Sequence, residues 1–217
     1  MNKHSLAPFI GYLLIFYFTW TVVWVYGVYP WAVRNVGSTT LLYAVINIVF
    51  RFLIWVLPVF WYLRHVDRVN ATEYLRLRQH WGRGLAFGLV LSAVNFAAAL
   101  VRTGPSTWRG PYVTWNSIVN TAILIGFFEE VPFRGFILQK LTERFGFWRS
   151  VVMSSVLFVT AHIPGWIRLG TLTAYNAVFV FVFGVIMALV FRYSKSLWGP
   201  IVAHSLNDFI SGVLVHR

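Results

Sequence analysis

Phe127-Phe128-Glu129-Glu130-Val131-Pro132-Phe133-Arg134 stands at the end of an apolar run that reads as a transmembrane helix. Two adjacent carboxylates and a guanidinium therefore fall where the flanking residues predict hydrocarbon. The chain holds only six acidic residues, and two of them are here. Charge at membrane depth is costly, so an ionisable cluster there is read first as a functional site. The rest of the chain has to supply partners for these groups.

Outward from this stretch the chain is unusually apolar. Of 217 residues, 59% are hydrophobic and 11% charged, against about 45–50% and about 25% in a soluble domain. Several runs approach the ~20 residues that cross a bilayer. Seven spans are expected: about Pro8–Val28, Leu41–Leu63, Gly84–Val101, Asn116 into Glu129-Glu130, Trp148–His162, Thr173–Phe191 and Leu197–Val215. The helical pattern of span four runs on to Phe145, where Gly146 ends it, and Pro132 is expected to kink or end that helix just past the glutamates. Ile163-Pro164-Gly165 is expected to stop span five, and Gly199-Pro200 to open span seven. Ala71 to His80 reads as a short surface helix with Tyr74, Leu75 and Leu77 turned inward. Gly84, Gly88, Ser92 and Ala97 to Ala99 suit span three to close packing. Gly104-Pro105 and Gly110-Pro111 break the connection after it. The first run lacks a small-residue cleavage site and reads as a retained helix. The fold class is all-α, a polytopic helix bundle of about seven spans forming one membrane domain.

The formal charge of +12 raises nucleic acid as a partner. The basic residues flank apolar runs instead of gathering in one tail or helix, which is how membrane topology is encoded, so nucleic acid is not expected. With the amino terminus inside and seven spans, eleven basic residues fall on the inner side and five on the outer. Arg51 and Arg134 remain within or near the membrane; Arg51 has no acid within one helical turn, which leaves snorkelling or a partner on another helix. The absence of cysteine excludes disulfides, thiolate metal sites and a cysteine nucleophile.

Span four brings Glu129, Glu130 and Arg134 to membrane depth, span five brings His162, and span seven brings His204 and Asp208. Glu130 and Arg134 share a helical face and suit an ion pair. Glu129 points about 100° away, so the two carboxylates need not do the same work. Phe158 shares a face with His162, and Asp208 with His204; Asn207 lies close to the latter face. A site between spans four, five and seven is expected. Its groups suit a carboxylate base with imidazoles attacking an amide or ester through water. They also suit a divalent metal or a proton relay. No H-E-x-x-H motif or its inverse is present, and no repeated halves of the transporter kind are seen.

Glu129-Glu130-x-x-x-Arg134, Phe158-x-x-x-His162 and His204-x-x-x-Asp208, in that order, resemble the three motifs of the CPBP intramembrane proteases, the CAAX protease and bacteriocin-processing or Abi family. The likeness covers about Asn116 to Gly212, with Phe133-Arg134-Gly135-Phe136-Ile137-Leu138 and Ser196-Leu197-Trp198-Gly199-Pro200-Ile201 around the motifs. It divides the chain into 1–115, helices without a family signature, and 116–217, a CPBP-like catalytic core. The resemblance implies an intramembrane glutamate endopeptidase acting on a membrane-anchored protein or peptide. Glu129 would activate water, His162 and His204 would hold it and stabilise the oxyanion, and Glu130 with Arg134 would shape the site or grip substrate. The last motif position is usually Asn in the family. An ionised Asp cannot donate a hydrogen bond, so Asp208 is given the task of orienting His204, with Asn207 as a donor. No cofactor is expected, although Glu129, His162, His204 and Asp208 are a set that a metal such as zinc would accept. A non-catalytic immunity or scaffold protein that kept the fold is the alternative. The expected setting is the cytoplasmic membrane of a prokaryote, with lipid as the surrounding partner.

Overall fold

The structure, a computed structural model, describes residues 6–103 and 114–211, and every regular element among them is helical. The chain runs through α1 (Ala7–Asn35), α2 (Leu41–His65), the single turn α3 (Ala71–Tyr74), α4 (Trp81–Thr103), α5 (residues 116–145), α6 (Phe147–Leu169), α7 (Ala174–Ser194) and α8 (Trp198–Phe209). The expected breakers Gly104-Pro105 and Gly110-Pro111, and the end of span seven, lie outside the described residues.

Five helices, α1, α2, α4, α6 and α7, are long and apolar enough to cross a membrane, so the chain is an integral membrane protein of polytopic all-α class. Of the seven expected spans, those at α5 and α8 are not among the five. Helix α5 carries Asn116, Asn120 and the charged cluster, which lower its hydropathy. Helix α8 is described from Trp198 to Phe209, and the end of the expected span lies outside the described residues.

The bundle is apolar on the outside and polar within. Leu14, Ile15 and Phe18 of α1, Val90 and Val94 of α4, and Tyr175 and Val178 of α7 are exposed, while Glu129, Glu130, Arg134, His204, Asn47 and Asn120 are buried. Hydrocarbon is the natural solvent for such a surface; in water it would be one large sticky patch. Between the helices lies an aromatic core packed edge to face. Phe16 meets Trp55 at 5.0 Å, Tyr12 meets Phe136 at 4.9 Å, and Phe133 meets Phe158 at 5.0 Å between ring centroids, the geometry that ring quadrupoles favour.

Small residues set the closest approaches. On α4, a side chain at Gly88 would meet Cβ of Val202 on α8 at 2.7 Å. On α5, one at Gly126 would run into the carbonyl of Ile201, and the Gly126 amide donates to Oγ of Ser205 at 3.0 Å. Where hydrocarbon surrounds the protein, such backbone proximity and interhelical hydrogen bonds hold helices together. They also press α8 against α5 at the level of the glutamates.

Neither Pro132 nor Pro164 ends its helix. Residues 116–145 are helical throughout and end at Gly146, with φ 74°; at Pro132 the winding loosens to π-helical over Val131–Ile137. Helix α6 passes through Pro164 and closes at Gly170, left-handed at φ 68°. Proline inside a spanning helix costs one backbone bond, a loss that neighbouring helices and local rewinding absorb. The surface helix is shorter than expected, ending at Tyr74, yet Leu75 is fully buried as its inward reading required.

Candidate active site

Helix α5 supplies Glu129 and Glu130, about 20 Å from its start at 1.5 Å per residue. Because neighbours on a helix diverge by about 100°, the two carboxylates face different partners. Glu130 turns into the packing between α5, α7 and α8. Its Oε1 accepts from Nη1 of Arg134 at 3.0 Å and from Nδ1 of His204 at 2.5 Å; its Oε2 has no hydrogen-bond partner among the described residues. Arg134 also donates from Nη2 to the Gly184 carbonyl on α7 at 3.1 Å, and its guanidinium lies 4.4 Å over the ring of Phe158. Side-chain exposure is 1% for Arg134 and 0% for Glu130. The expected ion pair is present and sealed from solvent, and its contacts join four helices.

Glu129 faces the other way. Its Oε1 accepts from Nη1 of Arg51 on α2 at 3.0 Å. Its Oε2 lies 3.8 Å from Nε2 of His162 and 3.7 Å from Nε2 of His204. Each imidazole is held from behind. Nδ1 of His162 lies 2.8 Å from the Phe158 carbonyl, which can only accept, so this nitrogen carries the hydrogen and Nε2 is left toward Glu129. The carboxylate of Glu130 does the same for Nδ1 of His204, a carboxylate–imidazole arrangement that fixes tautomer and ring angle. Phe158 lies beneath both rings, with centroids 4.7 Å from His162 and 6.0 Å from His204.

Asp208 is placed differently from expectation. Its Oδ2 lies 3.6 Å from Nε2 of His204, on the side that faces Glu129, while the bond that orients the ring comes from Glu130. A helical i,i+4 relation brings Asp208 near the ring but cannot choose the nitrogen. Asn207 donates to Oδ1 of Asp208 at 3.2 Å and accepts from Asn95 of α4 at 2.9 Å. His162 and Asp208 are the open members, with 27% and 34% side-chain exposure against 3% for His204. All eight residues expected at the site, Glu129, Glu130, Arg134, Phe158, His162, His204, Asn207 and Asp208, thus adjoin one centre.

Arg51 extends the site into the first half of the chain. Its Nε donates to Oδ1 of Asn47 at 3.0 Å, and its guanidinium sits 5.4 Å and 5.9 Å from the rings of Trp20 and Trp55. Asn47 donates to Asn116, which also accepts from Asn120. The sequence signal was an arginine with an asparagine four residues before it inside an apolar span; nothing in it named Glu129 as the partner. Among the described residues, no three His, Asp or Glu side chains are arranged to hold a metal ion.

Residues 110–210 match the family model for type II CAAX prenyl endopeptidase Rce1-like proteins, just under half of the chain. Over that stretch the chain is similar to the Rce1-like family. Neither curated proteins nor solved structures gave a significant match. The matched stretch takes in α5 to α8 and every site residue except Arg51, its neighbour Asn47, and Asn95, which bonds to Asn207. At family level this is a protease assignment of the CAAX-protease-like, intramembrane kind, as the three motifs implied.

Proposed function

We propose that the protein is an intramembrane endopeptidase that hydrolyses a peptide bond of a membrane-anchored protein or peptide with water activated by Glu129. One observation carries the reading: a single carboxylate oxygen faces the Nε2 atoms of two histidines, 3.7 and 3.8 Å away, while its sister oxygen is pinned by Arg51. Separations beyond direct hydrogen-bond length between polar atoms are what one bridging water spans. Water held there gives its proton to Glu129 as its oxygen attacks the carbonyl carbon. The negative charge that develops on the carbonyl oxygen is met by imidazole N–H, with the amide of Asn207 as a further donor. Glu129 then passes the proton to the leaving amine, so one residue serves as base and then acid. Since Nδ1 of each ring already holds its hydrogen against Phe158 or Glu130, donation in this scheme requires a hydrogen on Nε2 as well. No step in this scheme uses a cofactor.

Residues 116–217 form the catalytic core in this reading, and residues 1–115 add the brace on Glu129 through Arg51. The topology that goes with it has seven spans, with α5 and α8 completing the bundle, and the amino terminus inside a prokaryotic cytoplasmic membrane. The basic residues of the 64–83 connection and of the α5–α6 and α7–α8 turns then share the inner face.

The test is Glu129→Ala in the full chain, with membrane-embedded folding verified by thermal melting. Loss of cleavage of a membrane-anchored reporter peptide is expected, and comparative proteomics of deletion and Glu129→Ala cells should accumulate the same uncleaved substrates. Cleavage retained by the folded variant overturns the proposal in favour of the non-catalytic scaffold or immunity reading.

A further inference from the structure

About nine residues beyond Glu130 along α5, some 13 Å at 1.5 Å per residue, a cavity of about 410 Å³ opens between the end of α5, the start of α6 and the end of α7. Arg76 and Arg192 line it with Leu138, Gln139, Phe147 and Phe191. Arg76 stacks 5.0 Å over Phe191, and Arg192 stacks 4.0 Å over Phe147. No carboxylate among the described residues pairs with either guanidinium. Glu143 also lines the cavity and is already engaged: Oε1 accepts from the Tyr74 hydroxyl at 2.7 Å and Oε2 from Lys140 at 3.2 Å.

Guanidiniums stacked on rings keep their N–H edges free, and those edges match the oxygens of a phosphate in a bidentate way. The surroundings point to a lipid as its carrier. Trp61, Trp81 and Trp148, at the same end of the bundle, are 57 to 64% exposed, as tryptophans at headgroup level are. Leu138, Phe147 and Phe191 give the cavity an apolar wall beside its two charges. Basic pockets between helices at a membrane surface are headgroup sites on general electrostatic grounds.

We propose that this cavity binds the phosphate of an anionic phospholipid, with Arg76 and Arg192 as its ligands and the apolar wall against the lipid's glycerol and upper acyl region. The site is separate from the Glu129 centre and stands whether or not that centre is catalytic. Its test uses the full chain in detergent, with phosphatidylglycerol, phosphatidylcholine and inorganic phosphate added in separate arms and binding read by native mass spectrometry and melting temperature. Phosphatidylglycerol should bind at least about tenfold tighter than phosphatidylcholine, and Arg76→Gln with Arg192→Gln should weaken it roughly thirtyfold. The charge-matched pair Arg78→Gln with Arg149→Gln, outside the cavity, should change it by less than about threefold. Equal loss in both pairs would mean diffuse charge and overturn the site. Equal binding of the two lipids would overturn it as well. Stabilisation by inorganic phosphate with none by phosphatidylglycerol would assign a free anion and overturn the lipid. Arg192 is exposed, so Arg192→Gln alone, with a loss of about fivefold expected, keeps the test open should the double variant fold poorly.

Discussion

Arg51 on α2 donates from Nη1 to Oε1 of Glu129 on α5 at 3.0 Å, across 78 positions of sequence. Of the two carboxylate oxygens, this bond leaves Oε2 to the histidines and fixes the angle at which it meets them. Arg51→Gln should therefore lower kcat on a membrane-anchored reporter about tenfold to a hundredfold, the cost of misplacing a catalytic group by an ångström or so, with KM changed little. Arg51→Lys keeps the charge but not the fork that spans Asn47 and Glu129, and should fall between. An unchanged kcat in Arg51→Gln would remove Arg51 from the site.

Arg134 presents the opposite case, a charge whose work is structural. Among the described residues it is buried against Glu130, the Gly184 carbonyl and the ring of Phe158. Removing one member of a buried, hydrogen-bonded pair strands the other, at about 3–5 kcal/mol. Arg134→Ala should unfold at clearly lower temperature in detergent, and Glu130→Ala should do so as well while also freeing His204. A normal melt for Arg134→Ala with lost cleavage would instead make the arginine a direct participant.

The site was legible where a single helix carried the relation. Against an apolar background Glu129, Glu130, His162 and His204 stand out by composition, and helical spacing alone yields Glu130 with Arg134. Relations between helices were not legible, because they depend on rotation and depth that no spacing encodes. The 78-residue gap hid Arg51 from Glu129, and i,i+4 spacing favoured Asp208 over Glu130 as the group behind His204. Pro164 misled for a different reason: a breaker rule learned in water meets a helix whose neighbours repair it. The small residues of α4 read correctly, since close approach needs only the absence of a side chain.

Since Glu130 holds Nδ1 of His204, the ring does not depend on Asp208 for its tautomer. Asp208→Asn should keep cleavage within about tenfold of the native level, because the amide can donate toward the developing oxyanion where the carboxylate cannot. His204→Ala should lose at least about a hundredfold in kcat. Both are read on the same reporter in matched detergent. Loss in Asp208→Asn as deep as in His204→Ala would give the carboxylate a task that its 3.6 Å distance from Nε2 does not suggest.

Gly126 lies one helical turn before Glu130, and its backbone touches α8 where Ile201 and Ser205 precede and follow His204. A methyl group there has to push α8 away from α5. Overpacking of this kind costs typically about 1–3 kcal/mol, and the shift would move His204 relative to Glu129 in the same stroke. Gly126→Ala should thus lower both the melting temperature and kcat. Gly11→Ala, on α1 where a Cβ meets nothing within 4 Å, should lower neither. A fall in melting temperature with kcat intact would show that the α5–α8 approach sets stability while the spacing of the two catalytic side chains is held elsewhere, through Glu130 and Arg134.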